Sequence, residues 1–125
     1  MNKISWKYIA GFFDADGSVV FHKFQKKFDI YPEIIIGNTN KGVLESIKNF
    51  TDLGYIIKTN RHKKRCLGIK NRKILWRYQI GVQKDIREFL KRILPFLIIK
   101  KEKAKKAIAI TMLYKSYSSK HASNH

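Results

Sequence analysis

Residues 8–21, YIAGFFDADGSVVF, place an apolar run, two aspartates and a β-branched run in direct succession. The apolar residues before the aspartates recur at helical spacing, and Ser5 is suited to cap the first turn, so a helix is expected from Ser5 onward. Gly17 is suited to end this helix, and a strand is expected directly after it. Asp14 and Asp16 therefore come at the C-terminal end of a helix, where the helix dipole disfavours anions.

The composition favours one folded domain that has an anionic partner. The 125 residues suit a single domain, and a hydrophobic share of 44% is enough for a core. The chain has 27 Lys and Arg against 9 Asp and Glu, which gives a formal net charge of +18. So large a surplus indicates a partner such as nucleic acid, an anionic membrane or an acidic protein, and the charge alone would also suit ribosomal-type binding.

The sequence offers few residues for a conventional metal centre or a membrane anchor. Cys66 is the single cysteine, which excludes an intramolecular disulfide and a cysteine-based zinc site. The apolar runs are far too short for a membrane span, and the N-terminus lacks the apolar region of a signal peptide. We therefore expect an intracellular protein in a reducing compartment, with neither a membrane nor a small organic cofactor as partner. The histidines without metal-ligand spacing are His22, His62, His121 and His125.

The rest of the chain predicts two similar halves, each led by a helix that is followed by two strands. This order indicates an α+β fold with one four-stranded antiparallel sheet that helices cover on one face. Residues 1–117 would form the domain, and residues 118–125 a flexible polar tail. Strands are expected over 18–30, 31–38, 54–61 and 74–82, and further helices over 40–53, from Lys84 until Pro95 interrupts it, and over 100–117.

The uncovered sheet face carries basic, amide and apolar side chains, which suits a nucleic-acid duplex better than bulk water. A two-stranded ribbon with basic tips can enter a major groove and hold phosphates on either side. Residues 61–73, RHKKRCLGIKNRK, include seven Lys or Arg among thirteen, although a solvated charged hairpin is the plainer alternative there. The predicted DNA-binding residues are Ser18, Val20, His22, Lys26, Tyr31, Glu33, Ile57, Thr59, Arg61, Lys63, Lys64, Arg65, Arg77 and Gln79, of which His22, Arg77 and Gln79 are expected to read base edges.

Two small residues on the first helix indicate close packing against another helix. Gly11 is a poor helix former in mid-helix, and Ala15 follows it four residues later. Two copies packed in parallel at this stripe would bring their aspartates together, and a cation between the carboxylates would relieve the repulsion. Such oxygen ligands favour Mg²⁺, Mn²⁺ or Ca²⁺. The letters DADG alone favour a simpler alternative, a helix stop in which one aspartate bonds nearby backbone N–H groups.

The stretch from Ile9 to Gly17 closely resembles the signature of the LAGLIDADG homing endonucleases. The surroundings are similar too, with NTNK at 38–41 as a strand-to-helix junction and LPFLIIKKEKA at 94–104 as a helix–loop–helix, so the resemblance extends to about Tyr117. It implies a site-specific double-strand DNA endonuclease encoded by an intron or intervening sequence. Because the signature occurs once, a homodimer that cuts a long pseudo-palindromic target is implied. Six of the nine signature positions are identical, namely Ala10, Gly11, Asp14, Ala15, Asp16 and Gly17.

The resemblance also implies roles for particular residues. Asp16 would be the essential metal ligand, the main-chain carbonyl of Ala15 would share the metal, and Asp14 would have a structural role at the helix interface. Mg²⁺ is the implied cofactor, Mn²⁺ is a second candidate, and Ca²⁺ is a candidate for binding without cleavage. Asn38 would place water and Lys100 would balance charge on the phosphate, while Asn40 and Lys101 compete for these positions and Lys41 is a further basic candidate. The implied dimer interface comprises Ala10, Gly11, Asp14 and Ala15.

Two other functions are compatible with the same resemblance. The fold can bind intron RNA as a maturase or splicing cofactor without cutting DNA. It can also serve as a DNA-binding protein that does not cleave. The presence of Asp16, Asn38 and Lys100 favours the nuclease.

Overall fold

The computed structural model describes residues 4–23, 30–59 and 74–122, with side chains described as far as residue 113. Its elements alternate as the sequence predicts, and a short 3₁₀ turn joins the last two helices. The helices are α1 (Trp6–Asp16), α2 (Lys41–Thr51), α3 (Gln83–Ile93) and α4 (Lys101–Ala122), with the 3₁₀ turn at Leu94–Phe96. The strands are β1 (Gly17–Lys23), β2 (Ile30–Asn38), β3 (Tyr55–Lys58) and β4 (Trp76–Ile80).

The four strands form one sheet in the order β1-β2-β4-β3, and every neighbouring pair is antiparallel. β1 and β2 pair directly, with Ser18 opposite Ile35, whereas β4 lies between β2 and β3, with Gln79 opposite both Ile35 and Tyr55. The predicted α+β class with a four-stranded antiparallel sheet is confirmed. The sheet places one residue in two from each strand on the face away from the helices.

The helices cover one face of the sheet and enclose a single hydrophobic core. Phe89 of α3 is fully buried at its centre, with ring centroids of Phe13 and Tyr78 at 5.9 and 6.2 Å. Loss of such a ring would leave a cavity and cost about 3–5 kcal/mol of stability. The apolar residues at helical spacing in α3, the helix predicted from Lys84 onward, are all buried: Ile86, Phe89, Leu90 and Ile93.

Gly17 joins α1 to β1, and its role is spatial rather than conformational. Its φ of −88° is one that any residue adopts, so no left-handed turn ends the helix here. A Cβ at this position would overlap the ring of Phe13. The direct passage from helix to strand therefore depends on the missing side chain, and it fixes where Asp16 lies relative to the sheet.

Several predicted boundaries differ from the structure. α2 ends at Thr51 with Asp52 in the left-handed conformation, not at Gly54. β4 ends at Ile80, so Val82, the last residue of the strand predicted over 74–82, lies beyond it and is 61% exposed. α4 continues to Ala122, so residues 118–122 of the predicted polar tail are helical. Residues 24–29 of the predicted long first strand lie outside the described residues.

Among the described residues, no helix has the length and apolar character that crossing a membrane requires.

Candidate active site

Asp16 is the last residue of α1 and is exposed where the helix meets the sheet. Its Oδ2 accepts a hydrogen bond of 3.0 Å from Asn38 Nδ2, the one hydrogen bond that the described part of the chain gives this carboxylate. The last turn of α1 contains no basic residue. The carboxylate therefore keeps oxygen lone pairs available to a cation from outside the chain.

Asn38 and Asn40, the two competing asparagines, have different tasks. Asn38 ends β2, contacts Asp16, and accepts the backbone N–H of Asn40 at 2.7 Å through its Oδ1. The side chain of Asn40 caps α2, where its Oδ1 accepts the N–H of Val43 at 3.1 Å. Because Asn40 is occupied as a helix cap, Asn38 is the asparagine that lies beside the acid.

Asp14 has a structural role within its own chain. Its carboxylate accepts the backbone N–H groups of Ile98 at 2.7 Å and Lys100 at 3.0 Å. Partial burial acts to raise the pKa of this carboxyl, but backbone hydrogen bonds from residues 98–100 and the charge of Lys100 outweigh it and hold the pKa below its usual value. The resemblance implied that Asp14 acts at the helix interface; the structure instead directs its carboxylate to the segment before α4.

The same segment fixes the position of Lys100. Its Nζ donates to the main-chain carbonyl of Asp14, so the ammonium group lies at the C-terminal end of α1, near Asp16 in the chain. The helix dipole favours a cation at this end. Lys101 begins α4, and no hydrogen bond of its side chain is found among the described residues. Lys100 is therefore the lysine that the fold brings to the acidic end of α1.

A shallow cavity of about 270 Å³ connects this helix end with the outer sheet face, the face away from the helices. Its lining combines the carboxylate of Asp16 with the guanidinium of Arg77 and apolar or small residues between them. An anionic ligand bound along the sheet could thus contact Arg77 and lie close to Asp16. The lining residues are Asp16, Ser18, Ile35, Gly37, Leu75 and Arg77.

The outer sheet face carries most of the residues that the alternation predicted for it. The pairs Val20–Glu33, His22–Tyr31 and Arg77–Ile57 are opposite one another in the register. Ile35 and Tyr55 share this face but were not among the predicted residues, although the period of two along β2 and β3 contains that signal. The predicted residues that lie on the outer sheet face are Ser18, Val20, His22, Tyr31, Glu33, Ile57, Arg77 and Gln79.

Two of the predicted DNA-binding residues are not free to contact a duplex. Thr59 is 7% exposed, and its hydroxyl donates to the carbonyl of Leu75 at 3.1 Å. Gln79 is also 7% exposed; its Nε2 donates to Glu33 at 2.9 Å, and its Oε1 accepts from Arg77 at 3.4 Å. The expectation that Gln79 reads base edges is therefore wrong, since its amide groups are engaged by neighbouring side chains.

The other predicted DNA-binding residues lie outside the described residues. They are Lys26 in segment 24–29 and Arg61, Lys63, Lys64 and Arg65 in segment 60–73.

The face of α1 that points away from the core is open at its small residues. Apart from its chain neighbours and its own helix backbone, no atom of the described residues lies within 4 Å of where a Gly11 Cβ would be, and Ala15 is exposed. Ile98 and Ile99, which follow the 3₁₀ turn, are 85% and 76% exposed close to Asp14. Ala10, by contrast, is fully buried in the core, so its predicted place in a dimer interface is wrong.

The oxygen donors at the end of α1 fit a divalent cation only in part. The carboxylate of Asp16 and the carbonyl of Ala15 are hard ligands of the kind that Mg²⁺, Mn²⁺ and Ca²⁺ select, whereas Asn38 turns its amide nitrogen toward Asp16 and its oxygen toward the N–H of Asn40. Within residues 4–23, 30–59 and 74–122, no group of three or more His, Cys, Asp or Glu could hold a metal ion. Among the described residues, Asp16 is the one acid that lies exposed at the end of α1, since the carboxylate of Asp14 is held by backbone N–H groups.

A family model described as the LAGLIDADG-like domain matches residues 4–94, well over half of the chain. The chain belongs to the LAGLIDADG family. The matched region includes residues 9–17, the stretch whose resemblance to the LAGLIDADG signature implied this family. A search of curated proteins finds no match.

Solved structures of homing endonucleases have the same fold. I-CvuI, solved with a DNA target in the presence of Mg, matches 86% of this chain and 65% of its own with a TM-score of 0.65 and 18% identity. The archaeal intron-encoded I-Vdi141I, complexed with DNA, matches 85% of this chain and 65% of its own with a TM-score of 0.62 and 25% identity. I-GzeII, complexed with its DNA target, matches 91% of this chain but 38% of its own, with a TM-score of 0.64 and 26% identity. The chain thus spans less than two thirds of these proteins.

Proposed function

We propose that this chain is one subunit of a site-specific DNA endonuclease that makes double-strand breaks in a long pseudo-palindromic target. One observation supports this most directly. Asp16 is exposed at the junction of the open α1 face and the outer sheet face, with Asn38 hydrogen-bonded to it. An acid at this junction would lie close both to the end of α1 in a second copy of the chain and to a duplex bound on the sheet.

The need for two copies of the chain follows from the two strands of the duplex and the single Asp16 that each chain provides. A duplex has two strands, so a double-strand break needs two hydrolytic centres, and each chain supplies one Asp16. The open stripe at Gly11 and Ala15 allows two α1 helices to approach closely. A two-fold dimer implies a target with matching two-fold pseudo-symmetry.

The residues at the helix end can divide the chemistry between them. A divalent cation held by Asp16 and the carbonyl of Ala15 would polarise the scissile phosphate. Asn38, which contacts Asp16, would orient the carboxylate and a water molecule. Lys100 carries a positive charge at the same helix end and would stabilise the charge that develops on the phosphate.

The outer sheet face would bind the duplex, and basic residues elsewhere in the sequence would hold phosphates. Arg77 lines the cavity beside Asp16, so it can contact the backbone or a base close to the scissile bond. The lysines and arginines of residues 60–73 continue β3 and β4 along the chain, and they would extend the contact beyond the sheet.

The experiment begins with selection of bound sequences from a randomised duplex library, because the target is not known. The enriched sequence is cloned into a supercoiled plasmid, which is incubated with the protein in Mg²⁺ and in EDTA. We expect linear plasmid in Mg²⁺ only, and loss of cleavage in Asp16→Asn with DNA affinity nearly unchanged. Asp52→Asn is the matched control, since Asp52 is an exposed acid at the end of α2.

Other outcomes distinguish the alternatives. Enrichment of a duplex that the protein never cuts with Mg²⁺ or Mn²⁺ would indicate a DNA-binding protein without nuclease activity. Tight binding of structured intron RNA, with no duplex enriched, would indicate a maturase. Cleavage that persists in Asp16→Asn would refute the assigned role of this acid.

A further inference from the structure

Glu33 is the single acidic residue in the four described strands, and it lies on the outer sheet face. It belongs to β2, which has a neighbouring strand on each side; Val20 of β1 lies opposite Glu33, and the pairing of β2 with β4 begins at the next residue, Ile34. A carboxylate there repels the phosphates of every duplex. In a chain of net charge +18 it lowers affinity without regard to sequence, so its presence points to a role in selecting sequence.

Both carboxylate oxygens of Glu33 are held by neighbouring side chains. His22 Nε2 lies 2.9 Å from Oε1, and Gln79 Nε2 donates to Oε2 at 2.9 Å. The ring of His22 is in turn stacked on Tyr31, with centroids 5.1 Å apart. The carboxylate is thus fixed from two sides by groups that are themselves packed, which is the arrangement that precise recognition needs.

Each oxygen of Glu33 retains the capacity to accept a further hydrogen bond. An ionised carboxylate accepts at about four positions, and the two hydrogen bonds within the chain use two of them. The side chain is 20% exposed, so part of it can be reached from the outer sheet face. A hydrogen-bond donor on a base edge can therefore bind the Glu33 carboxylate, whereas an acceptor on a base edge would be repelled by it.

We propose that Glu33 selects cytosine at one position of each half-site and that Gln79 is the positioning residue that fixes Glu33. In the major groove, cytosine offers the N4 amino donor, while guanine and thymine offer acceptors opposite a carboxylate. Adenine presents its N6 amino donor next to the N7 acceptor on the same edge, and a carboxylate, which only accepts, would be repelled by N7. This inference rests on the proposed function, since it requires that the outer sheet face binds the duplex.

Gln79 contacts two side chains of opposite charge on the outer sheet face, Glu33 and Arg77. Its amide donates to Glu33 and accepts from Arg77 Nη1, so it separates an acceptor and a donor on the same face. Tyr55, opposite Gln79 on β3, is 3.4 Å from the same Nε2. The buried amide of Gln79 thus contacts both charged side chains and restricts the position of Glu33.

The test uses selection from a randomised duplex library followed by sequencing, with the intact protein and three variants. Glu33→Gln removes the charge but keeps the shape, and Gln79→Met removes the amide hydrogen bonds. Glu88→Gln is the matched control, because Glu88 is an acid on α3 that pairs with Arg92 away from the sheet. Thermal unfolding of each variant checks that it is folded.

For the intact protein we expect one position per half-site at which cytosine dominates. Glu33→Gln should lower discrimination at that position by at least about fivefold, leave the other positions unchanged and raise affinity for random duplex. Gln79→Met should weaken the same position only, and Glu88→Gln should change no position.

Two results would overturn the inference. One is a profile that lacks a preferred cytosine in the intact protein. The other is a folded Glu33→Gln variant with an unchanged or uniformly weakened profile, which would make Glu33 a structural acid only. In both cases the enrichment of a duplex by the intact protein would leave the proposed function standing, whereas failure to enrich any duplex would overturn both.

Discussion

Lys100 donates two hydrogen bonds to Asp14, one from its backbone N–H and one from its side chain. The backbone N–H of Lys100 donates to the carboxylate of Asp14 at 3.0 Å, and the ammonium group of Lys100 donates to the main-chain carbonyl of Asp14. This pair fixes the start of α4 against the end of α1. The two acids of the DADG stretch thus differ in function, because Asp14 holds the fold together and Asp16 remains open to a partner.

The variant Asp14→Asn should destabilise the fold more than Asp16→Asn. An amide can accept from one of the N–H groups of Ile98 and Lys100, but its own N–H would face the other. We expect a loss of about 1–2 kcal/mol in the free energy of unfolding, measured by urea denaturation. Asp16→Asn changes one hydrogen bond at an exposed site and serves as the control. Equal stability of the two variants would contradict the division of roles.

The variant Lys100→Met should reduce cleavage while DNA binding remains nearly unchanged. Removal of one charged group that stabilises a transition state typically lowers kcat by about 10²–10³-fold. Lys101→Met is a closely matched control, since it removes the same charge one residue later, at the start of α4. Single-turnover cleavage on the selected target measures the effect. A larger loss in Lys101→Met would show that the role belongs to Lys101 instead.

The variant Gly11→Leu should separate the two subunits without harming the folded chain. A Cβ at Gly11 would have no atom of the described residues within 4 Å beyond its chain neighbours and its own helix backbone, and leucine favours a helix by nearly 1 kcal/mol over glycine. We therefore expect a stable monomer that does not cut. Gly81→Leu is the control, because a side chain there also meets no atom within 4 Å. Sedimentation analysis decides, and an active monomer of the parent protein would refute the dimer.

The basic segment at residues 61–73 should bind phosphates without regard to sequence. Replacement of Lys63, Lys64 and Arg65 together by alanine should weaken binding to cognate and random duplexes by similar factors. The slope of log affinity against log salt should fall by roughly 0.9 for each phosphate that a chain no longer neutralises. Titrations at three salt concentrations measure it. A slope that does not change would indicate a solvated segment that binds no phosphate.

The sequence predicted the helices and the position of the acids well because apolar spacing and the DADG stretch are local signals. Burial at helical period in 86–93 was sufficient to identify the inward face of α3, and it is confirmed. The choice of Asn38 over Asn40 and of Lys100 over Lys101 was not available from the sequence. The first choice depends on the hydrogen bond between Asn38 and Asp16, which are 22 positions apart in the sequence. The second depends on the hydrogen bond between Lys100 and Asp14, which are 86 positions apart, and no local pattern encodes either contact.

The errors have equally physical causes. Alternation along a strand assigns a residue to a face, but it does not report how far neighbours cover it, so Gln79 and Thr59 were expected to be accessible. Ala10 belongs to the signature and was therefore placed in an interface, although its side of α1 faces the core. Gly17 was expected to stop a helix by its conformational freedom, whereas the structure needs its lack of a side chain against Phe13.

Tyr78 provides a prediction for alkaline pH that does not depend on DNA. Its hydroxyl is buried, donates to the carbonyl of Leu53 at 2.7 Å and lies 3.1 Å from the hydroxyl of Thr51. Burial raises the pKa of Tyr78 to about 12; the hydrogen bond from Thr51 lowers it and the charge of Asp85 raises it. The unfolded chain therefore loses this proton near pH 10, before the folded chain does, so stability falls between pH 10 and 12 by up to about 2–3 kcal/mol.

The variant Tyr78→Phe should be less stable than the parent at pH 7 and lose that disadvantage as the pH rises. Without the hydroxyl the carbonyl of Leu53 loses its partner, which costs about 1–2 kcal/mol at neutral pH. The variant has no phenol to ionise, so the difference in unfolding free energy should shrink from pH 10 to 12. Thr51→Val is the control, since it removes a hydrogen bond but keeps the phenol, and its deficit should persist. Urea denaturation at several pH values measures both differences, and parallel curves for the parent and Tyr78→Phe would contradict the raised pKa.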